Sequence, residues 1–176
     1  MRKFLLLFTV VCMTTLASAQ LNHAMIACLA GDCNNGTGVA DLEDFHVYRG
    51  EFKNGKPEGK GLLLHYDSDG EVPDYIGEFK NGAASGTGTR IIESNKMYAE
   101  GSFAEGWFVK GEIYLDGKWT AKINTATKDK YNTIYSGTLY EGTQKKIDFS
   151  NLNLYALKEK IRPAVSRATS STANPN

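Results

Sequence analysis

The residues of this 176-residue chain with types suited to chemistry are three histidines, a few paired carboxylates, a close cysteine pair and scattered lysines. His23, His46 and His65 have no partner at the i,i+4 spacing by which a helix presents two imidazoles to zinc, so a zinc-protease pattern is absent. Asp67 with Asp69, and Glu43 with Asp44, have the type for acid–base work or weak calcium binding, but paired acids between apolar runs usually form solvated turns. There is no G-x-S-x-G elbow, Walker loop or kinase signature. The 18 glycines fall in turns and strands at repeat spacing rather than in a phosphate-cradling loop. We therefore expect no enzyme, no cofactor and no metal. Cys28 and Cys33 are separated by Leu29 to Asp32, a stretch able to loop between two short strands and set the thiols opposite each other. A disulfide is the favoured reading, and two free thiols filling core positions is the other. Two cysteines without histidines at ligand spacing do not make a zinc site.

The elements that carry these residues are announced by a repeated phrase. Tyr-Arg-Gly-Glu-Phe-Lys-Asn-Gly runs from Tyr48 to Gly55, and Tyr-Ile-Gly-Glu-Phe-Lys-Asn-Gly from Tyr75 to Gly82, 27 residues on. Self-similarity at such a period marks a repeat architecture. In a strand, alternate residues share a face, so Tyr48, Gly50 and Phe52 form one apolar side, as do Tyr75, Gly77 and Phe79. Arg49, Glu51 and Lys53 form the charged side. Asn54-Gly55 is a turn signal, although the following Lys-Pro-Glu predicts a loop longer than two residues. Gly59 and Gly61 then open a second strand. Gly50 and Gly77 are expected to leave room for the ring of a neighbouring repeat. Looser copies extend the register, at Gly31, Cys33 and Gly36 upstream. Downstream they fall at Tyr98, Gly101 and Phe103 and at Tyr114, Gly117 and Trp119, both with one inserted residue, and finally at Tyr135, Gly137 and Leu139.

This pattern, Y-x-G-x-F-x-x-G followed by G-x-G, resembles the MORN (membrane occupation and recognition nexus) repeat over residues 28 to 142. The resemblance implies an all-β fold, an elongated array of stacked β-hairpins whose tyrosines and phenylalanines line the stack. It also implies a scaffolding or binding role, in some members at membranes. The repeat-defining positions are Tyr48, Gly50, Phe52, Gly55, Tyr75, Gly77, Phe79, Gly82, Tyr98, Gly101 and Phe103.

The amino terminus reads as a signal peptide over residues 1 to 19. Arg2 and Lys3 precede an apolar run from Phe4 to Leu16, and Ala17-Ser-Ala19 suits cleavage before Gln20. An uncleaved anchor is the lesser reading, because the run is shorter than the ~20 residues a spanning helix needs. The expected location is exported, periplasmic or extracellular. In that setting Asn35-Gly-Thr37 matches a glycosylation acceptor for a eukaryotic pathway.

The formal net charge is +0, and no nucleic-acid partner is expected, but the charge is uneven. Residues 20 to 117 carry 8 basic and 16 acidic side chains, whereas residues 118 to 176 carry 10 and 4. Lys118, Lys122, Lys128, Lys130, Lys145 and Lys146 form either a basic end suited to anionic lipid or a solvated strand surface; the latter is favoured because they are spread along the chain. Residues 143 to 165 predict a short helix, capped by Ser150 or Asn151, carrying Leu152, Leu154, Tyr155, Leu157 and Ile161 and stopped by Pro163. It is read as a cap on the last sheet edge rather than a membrane-surface helix. Residues 166 to 176 read as a disordered tail.

The expected function is a binding or scaffolding module for a protein or glycan partner. Tyrosine edges would supply contact area, and Lys53, Lys56, Lys60 and Lys80 charge. The alternative is peripheral attachment to anionic lipid through the basic half, centred on Lys145 and Lys146. Self-association through exposed sheet edges is a further expectation.

Overall fold

A computed structural model of the chain describes residues 23–68, 70–93, 97–128 and 133–161. The expected signal peptide, Asp69, Lys130, Pro163 and the carboxyl tail lie outside the described residues. Eleven strands follow one another, beginning with β1 (Met25–Gly31), β2 (Thr37–Leu42), β3 (His46–Lys53), β4 (Lys56–Asp67), β5 (Gly70–Lys80) and β6 (Ala83–Glu93). They continue with β7 (Met97–Ala104), β8 (Trp107–Leu115), β9 (Trp119–Lys128), β10 (Thr133–Glu141) and β11 (Gln144–Leu152). Spatial order is chain order, so the molecule is one antiparallel meander of hairpins. A short helix, α1, covers residues 154–161.

Alternation along each strand builds the core on one face of this sheet. In β3, Tyr48 and Phe52 are buried while Arg49, Glu51 and Lys53 are exposed; in β5, Tyr75 and Phe79 are buried while Ile76, Glu78 and Lys80 are exposed. The buried rings meet edge to face in an unbroken row. Phe52 lies 5.1 Å from Tyr48, Tyr48 4.8 Å from Phe79, Phe79 5.2 Å from Tyr75, and Tyr75 4.8 Å from Phe103. Tyr48 and Tyr75 therefore each join their own repeat to the next. Such contacts, worth roughly 0.5–1.5 kcal/mol each beyond area burial, replace the second layer that a sandwich would supply.

The hairpin connections are tighter than the sequence suggested. Asn54 and Gly55 both adopt positive φ (50° and 72°), and Lys53 pairs directly with Lys56, so the loop has two residues and β4 starts at Lys56 rather than at Gly59. The surplus residues sit in a bulge. Gly50 faces Gly61 and Phe52 faces Pro57, leaving Glu51 opposite a bent segment in which Gly59 has φ 67°. The Glu51 carboxylate accepts the Lys60 N–H at 3.0 Å, and Glu78 accepts Thr87 N–H at 2.7 Å in the matching hairpin. These glutamates of the repeated phrase thus fasten bulges.

The glycines form a row that crosses seven strands in register, Gly38, Gly50, Gly61, Gly77, Gly88, Gly101 and Gly111. The expectation that Gly50 and Gly77 make room for a neighbour's ring is corrected here. The ring over Gly50 and Gly61 is Tyr48 of the same repeat, and that over Gly77 and Gly88 is Tyr75. Each tyrosine folds back along its own hairpin because its hydroxyl donates to a local carbonyl, Glu51 O at 3.0 Å or Glu78 O at 3.2 Å.

The two ends differ from the expected boundaries. Cys28 and Cys33 are joined by a disulfide, with Cα atoms 5.8 Å apart, which ties β1 to the buried Cys33. At the other end the array runs on to Leu152, so Ser150 and Asn151 are strand residues and not caps. Asn151 N–H is drawn into the sheet by Ser136 Oγ at 3.2 Å, and the helix is capped instead by Asn153, whose Oδ1 accepts Ala156 N–H at 2.8 Å. Leu157 and Ile161 of α1 join the core cluster formed by the sheet's buried face.

Candidate functional site

The polar face of the sheet carries the side chains free to meet a partner. In β7 the buried residues are Met97, Ala99 and Phe103, so Tyr98 and Glu100 point the other way. This corrects the register at the third repeat. No residue is inserted: Ala99 stands where Tyr48 and Tyr75 stand, two before the row glycine Gly101, and Tyr98 belongs to the opposite face. Tyr114 likewise lies on that face, and the row glycine of β8 is Gly111, while Gly117 sits in the following turn with φ 69°. Tyr98 and Tyr114 stack there with centroids 4.4 Å apart and planes 17° from parallel.

Charge is organised around that stack. Tyr114 OH donates to Glu112 at 2.8 Å, which pushes the tyrosine pKa up to about 12 and keeps the hydroxyl a donor. Lys122 Nζ reaches Glu112 at 3.2 Å and lies 5.2 Å from the centre of the Tyr140 ring. Glu100 faces Glu112 across the strands, where the Lys122 ammonium offsets the repulsion between like charges. The result is two stacked rings flanked by donors and acceptors of both signs. The sequence pattern places Tyr98 and Tyr114 at the repeat's tyrosine position with one inserted residue. The signal against that placement is parity, since a ring three residues before the row glycine must face away from one two residues before it.

The lysines separate into two groups. Lys122, Lys145, Lys146 and Lys128 all have internal partners: Glu112, Asp148 at 2.8 Å, Glu141 at 2.9 Å and the Trp107 ring at 4.1 Å. Among the described residues, no carboxylate ion pair engages Lys53, Lys56, Lys60 or Lys80. Lys53 and Lys56 flank the Asn54-Gly55 turn, and Lys80 adjoins the Asn81-Gly82 turn beside it. Those turns are hooked together: Gly82 N–H donates to Pro57 O and Asn81 N–H to the Glu58 carboxylate, both at 2.9 Å. Lys53, Lys56 and Lys80 are thus mounted on a braced row of turns, and Lys60 stands in the adjoining bulge of β4.

The fold also gathers the three histidines, which are far apart in sequence. His23 stacks on His46 with centroids 3.9 Å apart, His65 lies opposite His46 in register, and the His46 ring reaches Asp74 at 3.7 Å, which also pairs with Arg90. In-plane lone pairs of parallel rings do not converge, and among the described residues no three His, Cys, Asp or Glu side chains are arranged to hold a metal ion. Burial, then the charge of His46, lowers the His23 pKa below its ordinary 6.5, against the opposing pull of Asp44. For Asp74, burial acts to raise the pKa, but His46 and the Arg90 charge outweigh it and the net direction is down. A histidine with a depressed folded pKa contributes stability that is complete above pH 6.5 and is lost as pH falls through its folded value; a depressed aspartate loses its share only at lower pH. Thermal melts are expected to fall in midpoint on acidification below pH 6.5, and His23→Gln to flatten that slope. A wild-type slope unchanged in His23→Gln would remove His23 as the group responsible.

A meander of hairpins built on repeated aromatic and glycine rows defines a single-sheet repeat protein. The family model described as the MORN repeat matches residues 48–70 and 75–95, which supports the MORN family. Both matches fall on the two best copies of the phrase and their return strands, β3 with β4 and β5 with β6. No curated protein matches the chain. MORN repeats generally serve as non-catalytic binding or scaffolding modules, often associated with membranes.

Proposed function

We propose that this chain is an exported, non-catalytic binding module for a protein or glycan partner, engaged through the polar face of its sheet. The observation that carries the reading is the stacked, partly exposed Tyr98–Tyr114 pair with Glu112, Lys122 and Tyr140 around it. Tyrosines in a rigid sheet offer flat contact area with little loss of side-chain freedom, and the flanking charges fix orientation. Lys53, Lys56 and Lys80 at the turns, with Lys60 in the bulge beside them, add a second, positively charged contact. Attachment to anionic lipid through Lys145 and Lys146 is the competing reading, and both ammonium groups are already paired with carboxylates. No helix among the described residues is long and apolar enough to cross a membrane.

Flotation of the purified chain with neutral and anionic liposomes, at low and physiological salt, separates the two readings. Lysine attraction to lipid phosphate weakens steeply with ionic strength, whereas an aromatic interface does so far less. The expected result is no flotation in either salt, together with a cross-linked partner in the native envelope that is lost in Tyr98→Ala/Tyr114→Ala. Flotation that requires anionic lipid and fades with salt would transfer the function to the membrane surface.

A further inference from the structure

The row of side chains beside the stacked tyrosines is short of one positive charge. Thr89, Glu100, Glu112 and Lys122 stand directly opposite one another on β6, β7, β8 and β9. Two carboxylates are therefore neighbours. The one ammonium of the row, on Lys122, reaches Glu112 at 3.2 Å from the strand beyond it, and Tyr114 also gives its hydroxyl to Glu112. Among the described residues, nothing donates to the exposed carboxylate of Glu100 and no cation pairs with it. Like charges set directly opposite each other weaken a sheet. Glu100 also shares its strand and its face with Tyr98, two residues away, whose ring is 38% exposed. A bare carboxylate held against its like, beside an open ring, costs the fold something and serves a contact outside it.

We infer that the partner of this face is a protein that sets an arginine on Glu100, its guanidinium donating to the carboxylate and its stem lying against Tyr98. The inference rests on the reading of the polar face as the binding surface, and it narrows the partner from protein or glycan to a protein with a basic contact segment. A carboxylate takes two parallel N–H bonds from the planar fork of arginine, and they bring the charge that the row lacks; a neutral sugar brings none. An arginine stem covers apolar surface while its head keeps its hydrogen bonds, and Tyr98 supplies that surface. Lys122 occupies Glu112, which directs an incoming cation to Glu100. Charge complementarity extends beyond the row, because residues 20 to 117, which contain β1 to β8, carry 8 basic against 16 acidic side chains.

The probe is hexa-arginine, titrated into the purified chain while the Tyr98 ring signals are followed by nuclear magnetic resonance, with hexa-citrulline as its uncharged isostere. Hexa-arginine is expected to shift those signals and hexa-citrulline to leave them in place. Glu100→Gln is expected to weaken the probe roughly threefold or more, and Asp116→Asn, in an exposed turn, to leave it unchanged. Glu100→Gln is also expected to melt no lower than wild type, because it removes one of two facing charges. Equal weakening by the two substitutions would reduce the effect to net charge and overturn the inference. A melting temperature that falls in Glu100→Gln overturns it too, since a cation of this chain, such as Lys96 outside the described residues, would then already serve that carboxylate. The cross-linked partner separates the inference from the reading beneath it. A partner lost in Tyr98→Ala/Tyr114→Ala but kept in Glu100→Gln leaves the binding face standing and removes its arginine, whereas a partner kept in both removes the face itself.

Discussion

Phe79→Ala is expected to destabilise the array by about 3–5 kcal/mol, the usual cost of emptying a buried phenylalanine site. Phe79 is 5% exposed and stands between two tyrosines, at 4.8 Å from Tyr48 and 5.2 Å from Tyr75. Its removal breaks the ring row between the second and third hairpins. A single-layer sheet has little material with which to refill the gap, because Ala84 opposite Phe79 is already small and buried. Total stability of a domain this size is commonly 5–15 kcal/mol, so the loss takes a large part of it. Chemical denaturation followed by near-ultraviolet circular dichroism measures the effect, since tyrosine signals report the row directly. A midpoint within experimental error of wild type would mean that the ring row does not hold the repeats together.

Gly61→Ala is expected to be nearly as damaging although it adds a single methyl group. A Cβ built at Gly61 runs into the Tyr48 ring on its Cε2, Cζ and hydroxyl atoms. Tyr48 is fully buried, donates to Glu51 O and contacts Phe52 and Phe79, so it has no free direction in which to move. Overpacking of a tight core costs about 1–3 kcal/mol, and displacement of the ring adds the loss of its hydrogen bond, about 1 kcal/mol. Gly55→Ala is the matched control. Gly55 has φ 72° and nothing within 4 Å of a built Cβ, so its substitution carries only backbone strain, roughly 1–2 kcal/mol. Equal losses for the two variants would show that backbone conformation, and not contact with Tyr48, is what the Gly-x-Gly phrase protects.

Much of this protein was legible where a local rule had no competitor. The Tyr-Gly-Phe phrase fixes a strand with one apolar side, because side-chain parity depends on the backbone alone. Asn-Gly marked the ends of hairpins correctly, since these residues tolerate the left-handed conformation of a two-residue turn. The length of that turn was misread because Lys-Pro-Glu looks like loop. Pro57 is accommodated beside Phe52, and the surplus length is taken up in a bulge that Glu51 fastens from the other strand. No reading of one strand reveals that contact. The helix cap was misplaced for a similar reason: Ser150 and Asn151 suit a cap locally but are taken up in a bulge of β11, between Phe149 opposite Gly137 and Leu152 opposite Tyr135.

The sites were harder to read than the fold. Tyr98 and Tyr114 looked like weakened copies of Tyr48, each with one inserted residue. Burial of Ala99, Met97 and Ile113 puts both rings on the opposite face, where their stacking makes the candidate binding surface. The histidines showed no pairing at helical spacing, and His46 and His65 meet only because β3 and β4 run antiparallel in one register.

By itself the sequence determined the repeat, the strand parity, the turn positions and the aromatic and glycine rows, since each follows from the conformational preferences of a few neighbouring residues. Tertiary structure alone decided which ring covers which glycine, which lysines are already paired, and that the third repeat has alanine in the tyrosine position. Those outcomes depend on the register between strands, set by packing over the whole sheet, and that energy is shared among residues far apart in the chain.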